Sequence, residues 1–200
     1  MGKRMALFIS YVLHPAVYPI LGTLIILEML PYYVPKELLF LAMGIVLFGT
    51  YILPLLLTLA LYKFEIIESL HMKEREDRKL PYLLTAICIC LTAFILEPTH
   101  VPLEAFVFLM ASAAVILIHL VMLFTFKPSA HMAGIAGFLG LLMSLALRYQ
   151  LNFLLYILIC IALAGVLGTA RLTLKAHNGM ELLVGFASGW LIVFGIFNWL

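Results

Sequence analysis

The chain has 200 residues, of which 66% are apolar and only 11% are charged, whereas soluble domains are about 45–50% apolar and about 25% charged. A mean hydropathy of +1.18 therefore excludes a cytosolic enzyme, a nucleic-acid-binding protein and a disordered chain. The formal net charge of +2 comes from dispersed basic residues, which is not the basic patch that DNA or RNA binding needs.

Seven segments approach the length of about 20 mostly apolar residues that a membrane-spanning helix needs. Short polar joints with proline or glycine separate them. In chain order, the predicted spans are 5–29, 38–63, 81–97, 102–126, 133–149, 151–170 and 181–200. The sequence therefore predicts an all-α, polytopic transmembrane helical bundle, organised as one integral membrane domain over residues 1–200. Six spans are the alternative, because the run 133–149 is short and the polar stop at 148–150 is brief. We expect 133–149 and 151–170 to form a tight helical hairpin.

Prolines predict kinks in the first two spans. Pro15 and Pro19 interrupt the first span and Pro54 interrupts the second, and each proline removes a backbone donor. The apolar run after Lys3 and Arg4 is longer than the apolar region of a signal peptide, so we interpret it as a span.

Small residues recur at helix-packing spacing in the last three spans. Such pairs let backbones approach closely in lipid, where close packing replaces the hydrophobic drive. We expect intramolecular packing at four pairs: Ala133/Gly137, Ala136/Gly140, Ala164/Gly168 and Gly185/Gly189. The three cysteines, Cys88, Cys90 and Cys160, are an odd number within apolar runs, which indicates neither a disulfide framework nor a metal cluster.

The basic residues are distributed unevenly between the two sides that seven spans define. Of the 12 lysines and arginines, only Lys36 and Arg148 fall opposite the N-terminal side. The positive-inside rule places the basic side in the cytoplasm. We therefore expect an integral protein of the cell (inner) membrane.

Three stretches on the basic side, 63–81, 127–132 and 171–181, carry polar residues that apolar packing does not require. Together they supply cations, two histidines, a hydroxyl and a carboxylate, which are the groups that phosphoryl transfer needs. The predicted phosphate-binding residues are Lys73, Arg78, Ser129 and Arg171, and the predicted catalytic residues are His177, His131 and Glu181.

Each predicted role has a chemical reason. Ser129 and the amides near His131 precede an apolar helix, whose N-terminus attracts an anion. His177 and Glu181 are four residues apart, so on a helix the carboxylate can hold one ring nitrogen while the other attacks phosphorus. His131 can then protonate the leaving alcohol.

These stretches resemble the type 2 phosphatidic acid phosphatase family, whose pattern is KxxxxxxRP, then PSGH, then SRxxxxxHxxxD. Residues 128–131 read Pro-Ser-Ala-His, and Arg171, His177 and Glu181 keep the spacing of the third motif in full. The chain departs from the pattern at Ala130, at Ala170 and at Glu181.

The first motif is incomplete. Only Lys73, Arg75, Arg78 and Lys79 stand ahead of Pro81, and we assign Lys73 and Arg78 to it. A predicted helical pair separates this motif from the second, which differs from the usual layout of the family, in which the two share a loop.

The resemblance covers residues 73–189 and implies a helical membrane bundle with its site at the lipid interface. It also implies hydrolysis of a glycerolipid or polyprenyl phosphomonoester or diphosphate through a phosphohistidine, without a metal or cofactor. The expected partners are the bilayer and the lipid substrate, and no nucleic acid. The sequence leaves the lipid and the oligomeric state open.

Two other functions remain as alternatives. A catalytically degenerate lipid-phosphate binder or transporter would explain Ala130 and the incomplete first motif. A haem-binding carrier would need His14 and His119 to face each other, whereas we interpret both as packed polar residues.

Overall fold

A computed structural model describes residues 1–70, 72 and 74–199. Lys73, one of the predicted phosphate-binding residues, lies outside the described residues. Within the described ranges the chain forms helices and no strand. The α-helices are α1 (Lys3–Val12), α2 (Val17–Met29), α3 (Lys36–Leu47), α4 (Leu53–Lys63), α5 (Glu76–Leu96), α6 (Leu103–Met122), α7 (Ala130–Tyr149), α8 (Leu154–Thr173) and α9 (Gly179–Trp199).

Six of the described helices are long and apolar enough to cross a membrane when α3 and α4 count as one, and α1 with α2 would make a seventh. This confirms the predicted all-α bundle of six to seven spans, and the chain is an integral membrane protein. The largest boundary error is at α5, which begins at Glu76 rather than at residue 81. Glu76 and Asp77 occupy its first turn, where negative charge stabilises a helix N-terminus.

Distortions are present at Pro15 and Pro54, whereas Pro19 lies in the first turn of α2, where a helix tolerates proline. The first predicted span is broken between Val12 and Val17, around His14 and Pro15. Before Pro54 the chain makes a π-helical turn, Phe48–Ile52, in which the backbone N–H of the following residue reaches back to the carbonyl of Phe48. Pro54 has no N–H to donate to the preceding turn. The helix continues there through a hydrogen bond to the residue five positions earlier, rather than four.

The chain divides into two compact units. The terminal unit comprises Met1–Tyr18 and Phe126–Leu200, and the central unit comprises Pro19–Thr125. Two of the stretches predicted to form the site, 127–132 and 171–181, belong to the terminal unit, whereas 63–81 belongs to the central unit. The single membrane domain remains a prediction.

In the terminal unit, α7 and α9 run parallel and approach closely along their small residues. A Cβ added to Gly185 would overlap the backbone of Ser129, and one added to Gly189 would overlap the backbone of Ala133. Further along, Gly137 meets Val193. The prediction of close intramolecular packing is confirmed at these positions, and the parallel course brings both helix N-termini to the same end of the unit.

The other two predicted pairs give a mixed result. Gly140 packs against the backbone of Trp190 and Phe194, which confirms close packing at that glycine. In α8, a Cβ on Gly168 would make only ordinary contact with the Met132 side chain. Among the glycines of this unit, the closest backbone approaches are therefore those between α7 and α9.

Candidate functional site

The candidate site lies at the end of the terminal unit where α7 and α9 begin and α8 ends. Ser129 caps α7, because its hydroxyl accepts a hydrogen bond from the N–H of Met132 at 3.5 Å. The N–H of Ser129 donates to the carbonyl of Glu181 at 3.0 Å and so joins the two helix starts. Ser129 is fully buried. These contacts make Ser129 an N-cap, and its phosphate-binding role remains a prediction.

Glu181 fixes the orientation of His177. The carboxylate oxygen Oε2 lies 3.0 Å from Nδ1 of His177, and the imidazole side chain is only 1% exposed. A carboxylate only accepts, so Nδ1 carries the proton and Nε2 of the neutral ring keeps its lone pair. That tautomer leaves Nε2 as the nucleophilic nitrogen.

The predicted pairing of His177 with Glu181 is present, but a single helix face does not produce it. Helix α9 begins at Gly179, two residues after His177. The carboxylate of Glu181 instead belongs to a capping box, in which Asn178 N–H donates to Glu181 Oε2 at 3.1 Å and Glu181 N–H donates to Asn178 Oδ1 at 2.9 Å. The Asn178 N–H holds the carboxylate beside the ring, and the reciprocal bond fixes the start of α9.

A left-handed residue turns the chain between α8 and His177. Lys175 has φ of 53°, and the N–H groups of Lys175 and Ala176 donate to the carbonyls of Leu172 and Arg171. This geometry resembles the usual termination of a helix by a left-handed residue. It returns the chain towards the end of α8, where Arg171 stands in the last turn.

Ser10 of α1 supplies the hydrogen-bond acceptors for His131 and Arg171. Nε2 of His131 lies 3.2 Å from the carbonyl oxygen of Ser10, and Nη1 of Arg171 donates to the Ser10 hydroxyl at 3.3 Å. A carbonyl only accepts, so Nε2 of His131 carries a proton. The shared partner Ser10 brings His131 and Arg171 together, and the hydrogen bond from Ser129 to Glu181 joins the start of α7 to the residue that holds His177.

A third imidazole completes the cluster. The rings of His14 and His131 stand edge to face, with their centroids 5.5 Å apart and their planes at 83°. The N–H of Ala16 donates to Nδ1 of His14 at 3.3 Å. The ring of His14 therefore packs against the cluster.

Arg78, which we assign to the first motif, and its neighbour Lys79 make their contacts within the central unit. Arg78 belongs to the central unit, where it is buried and its Nε donates to the carbonyl of Met72 at 2.8 Å. Lys79 pairs with Glu76 at 2.6 Å and lies over the ring of Phe124. The assignment of Arg78 and Lys73 to the phosphate remains a prediction.

The sequence prediction does not include three residues of the candidate site, Asn178, Ser10 and His14. A signal for Asn178 is present in the sequence, since Asn-x-x-Glu ahead of an apolar run is a capping pattern. Ser10 and His14 gave no such signal, because their roles depend on how α1 docks against the rest of the unit.

The described residues contain no group of three histidine, cysteine, aspartate or glutamate side chains that could hold a metal ion. Comparisons with protein-family models, with curated proteins and with solved structures found no match for this chain. The assignment of a function therefore depends on the geometry and on the motif resemblance.

Proposed function

We propose that the protein is a membrane phosphatase of the type 2 phosphatidic acid phosphatase kind, which hydrolyses a phosphomonoester or diphosphate of a glycerolipid or polyprenyl lipid. The observation that carries the proposal is the complementary state of two histidines in one cluster. His177 has its lone pair on Nε2, because Glu181 holds Nδ1. His131 has a proton on Nε2, which it donates to Ser10.

These states match the two halves of a phosphohistidine mechanism. Binding of the dianionic phosphoryl group lets His131 take up a second proton from solvent and become an imidazolium. Nε2 of His177 then attacks phosphorus, the bond from phosphorus to the lipid oxygen breaks, and His131 gives its Nε2 proton to that oxygen. The lipid alcohol then leaves. Water next attacks phosphorus, the bond to His177 breaks, and His131 takes the proton from the water, which restores both rings and releases phosphate.

Arg171 and the N-terminus of α7 stabilise the charge of the phosphoryl group. The guanidinium pairs two oxygens at once, and the first amides of α7 point out of its positive end. Glu181 holds the ring of His177 and stabilises the charge that develops on it. This division of roles supplies the required positive charge from the chain's own residues.

The distribution of basic residues supports a cytoplasmic site in the cell (inner) membrane. A site on that side favours a newly made lipid phosphate as substrate. The tail of such a substrate stays in the bilayer while its headgroup reaches the ends of α7, α8 and α9.

Two observations favour a non-enzymatic lipid-phosphate binder or transporter as the second candidate. Ala130 stands where the resembled motif has glycine, and Arg78 of the first motif donates to a backbone carbonyl. A binder would keep the cationic cluster and lack turnover.

Release of inorganic phosphate from a panel of lipid phosphates tests the choice between the two. The assay uses the purified full chain in detergent with a chelator present. We expect hydrolysis of at least one lipid phosphate without added divalent metal. Binding of a panel member without hydrolysis would favour the second candidate, and hydrolysis that strictly requires Mg²⁺ would contradict the phosphohistidine mechanism.

A further inference from the structure

Ser10 marks two positions in the cluster that suit oxygens of a ligand. Its carbonyl oxygen accepts from His131 at 3.2 Å and its hydroxyl accepts from Arg171 at 3.3 Å. Both distances are at or beyond the long end of the range for N–H···O hydrogen bonds. Phosphoryl oxygens form shorter, charge-assisted bonds with such donors, so a phosphoryl group would replace Ser10 as their acceptor.

His14 stands beside those two positions. Its ring contacts the ring of His131, and His131 shares Ser10 as a partner with Arg171. His14 is also exposed, so a ligand can approach it from outside the cluster. Its position therefore differs from that of a histidine packed into a helical core.

The local backbone fixes which nitrogen of His14 can donate. Because Ala16 N–H donates to Nδ1, Nδ1 acts as an acceptor and the proton of the neutral ring is on Nε2. Pro15 follows directly and restrains the backbone of this turn. His14 thus presents a donor on the far edge of its ring.

We propose that His14 is a third histidine of the anion site, whose Nε2–H donates to a phosphoryl oxygen bound at the same time by Arg171. This inference rests on the proposed function for the presence of a phosphoryl group at the cluster. It adds a binding residue from the turn after α1 that none of the three motif stretches contains. The resulting donors, from His14, His131, Arg171 and the start of α7, fit a dianionic terminal phosphoryl group.

Three substitutions separate donation from packing. His14→Gln places an amide donor near the position of Nε2, His14→Asn places an acceptor near Nδ1 for the Ala16 N–H, and His14→Phe keeps a ring against His131. His100→Asn is the matched control, because His100 is exposed and belongs to the central unit. It lies in the left-handed region with φ of 61°, which asparagine tolerates.

The measurement is the dissociation constant of inorganic phosphate for the purified full chain in detergent, by isothermal titration calorimetry. We expect His14→Asn and His14→Phe to weaken binding by about tenfold or more, as for a lost hydrogen bond to a charged group. We expect His14→Gln and His100→Asn to stay within about threefold of wild type, a smaller change than loss of that bond produces. The thermal unfolding midpoint of each variant reports its folding, and the Gln and Asn variants alone decide the result if the Phe variant does not fold.

Wild-type affinity in both His14→Asn and His14→Phe would overturn the role of His14 and leave the proposed phosphatase intact. So would weak binding by His14→Gln with strong binding by His14→Phe, because His14 would then act through ring packing. Absence of phosphate binding and of hydrolysis in the wild type would overturn the proposed function together with this inference.

Discussion

Two sets of polar side chains, one in each unit of the molecule, form their hydrogen bonds in different ways. In the spans of the central unit, Thr23, Thr50 and Thr92 each donate to the carbonyl four residues earlier in the same span, at 2.7–2.8 Å. Such bonds satisfy a hydroxyl in an apolar setting without any partner helix. The surfaces of these helices then remain available for apolar packing. In the central unit this packing includes a core around Ile89, Leu96 and Leu109.

In the terminal unit the polar side chains of the cluster bond between elements. Arg171 and His131 reach Ser10 of α1 across 161 and 121 residues of sequence. His177 is held by a carboxylate that also caps α9. A polar group that bonds to another element depends on the fold to bring its partner within reach.

The two histidines should give the largest effects and should lose activity in different ways. We expect His177→Ala to abolish turnover and the covalent intermediate, because the attacking atom is gone. His131→Ala should slow hydrolysis of a lipid phosphate by about 10²–10⁴-fold, the usual contribution of a general acid. An activated aryl phosphate, whose leaving group needs little protonation, should partly rescue His131→Ala and never His177→Ala.

Thr92→Val is the matched change in the central unit, since Thr92 bonds only within its own helix among the described contacts. Its turnover should stay close to wild type. Trapped, acid-labile phosphate on the protein that persists in His177→Ala and disappears in His131→Ala would reverse the two roles.

Glu181→Gln should give a smaller effect. It separates the capping role of the side chain from the effect of its charge on His177. Glutamine can keep the hydrogen bonds of the capping box, so the thermal unfolding midpoint should change little. Loss of the carboxylate charge beside His177 should lower kcat by about tenfold or more, which equals roughly 1.4 kcal/mol or more in the barrier. A wild-type kcat for this variant would show that the carboxylate serves only as a cap.

Gly189→Ala tests the helix packing that supports the cluster and should change stability more than chemistry. A Cβ there would overlap the backbone of Ala133, so we expect destabilisation of about 1–3 kcal/mol, as for other overpacked sites. Gly165→Ala is the control, because nothing lies within 4 Å of a Cβ at Gly165, and it should stabilise α8 by up to about 1 kcal/mol. Equal unfolding midpoints in detergent for the two variants would contradict the close approach of α7 and α9.

Much of the fold follows from local properties of the sequence. Runs of apolar residues determined the spans, and the missing N–H of proline determined the distortions at Pro15 and Pro54. The glycines of α7 and α9 indicated close packing because small residues allow backbones to approach. The spacing of His177 and Glu181 predicted their pairing, although the structure achieves it through a capping box rather than one helix face.

Only the tertiary structure decided which distant residues share the cluster. The sequence placed Ser10 and His14 in an apolar first span and grouped Arg78 with the site. The structure shows that Ser10 bonds to His131 and Arg171. Arg78 donates to the carbonyl of Met72, and its phosphate-binding role remains a prediction. Periodicity and spacing report contacts within a few residues, because they reflect the repeat of a single helix. The docking of α1 depends on side-chain packing between segments more than 100 residues apart, which no local pattern encodes.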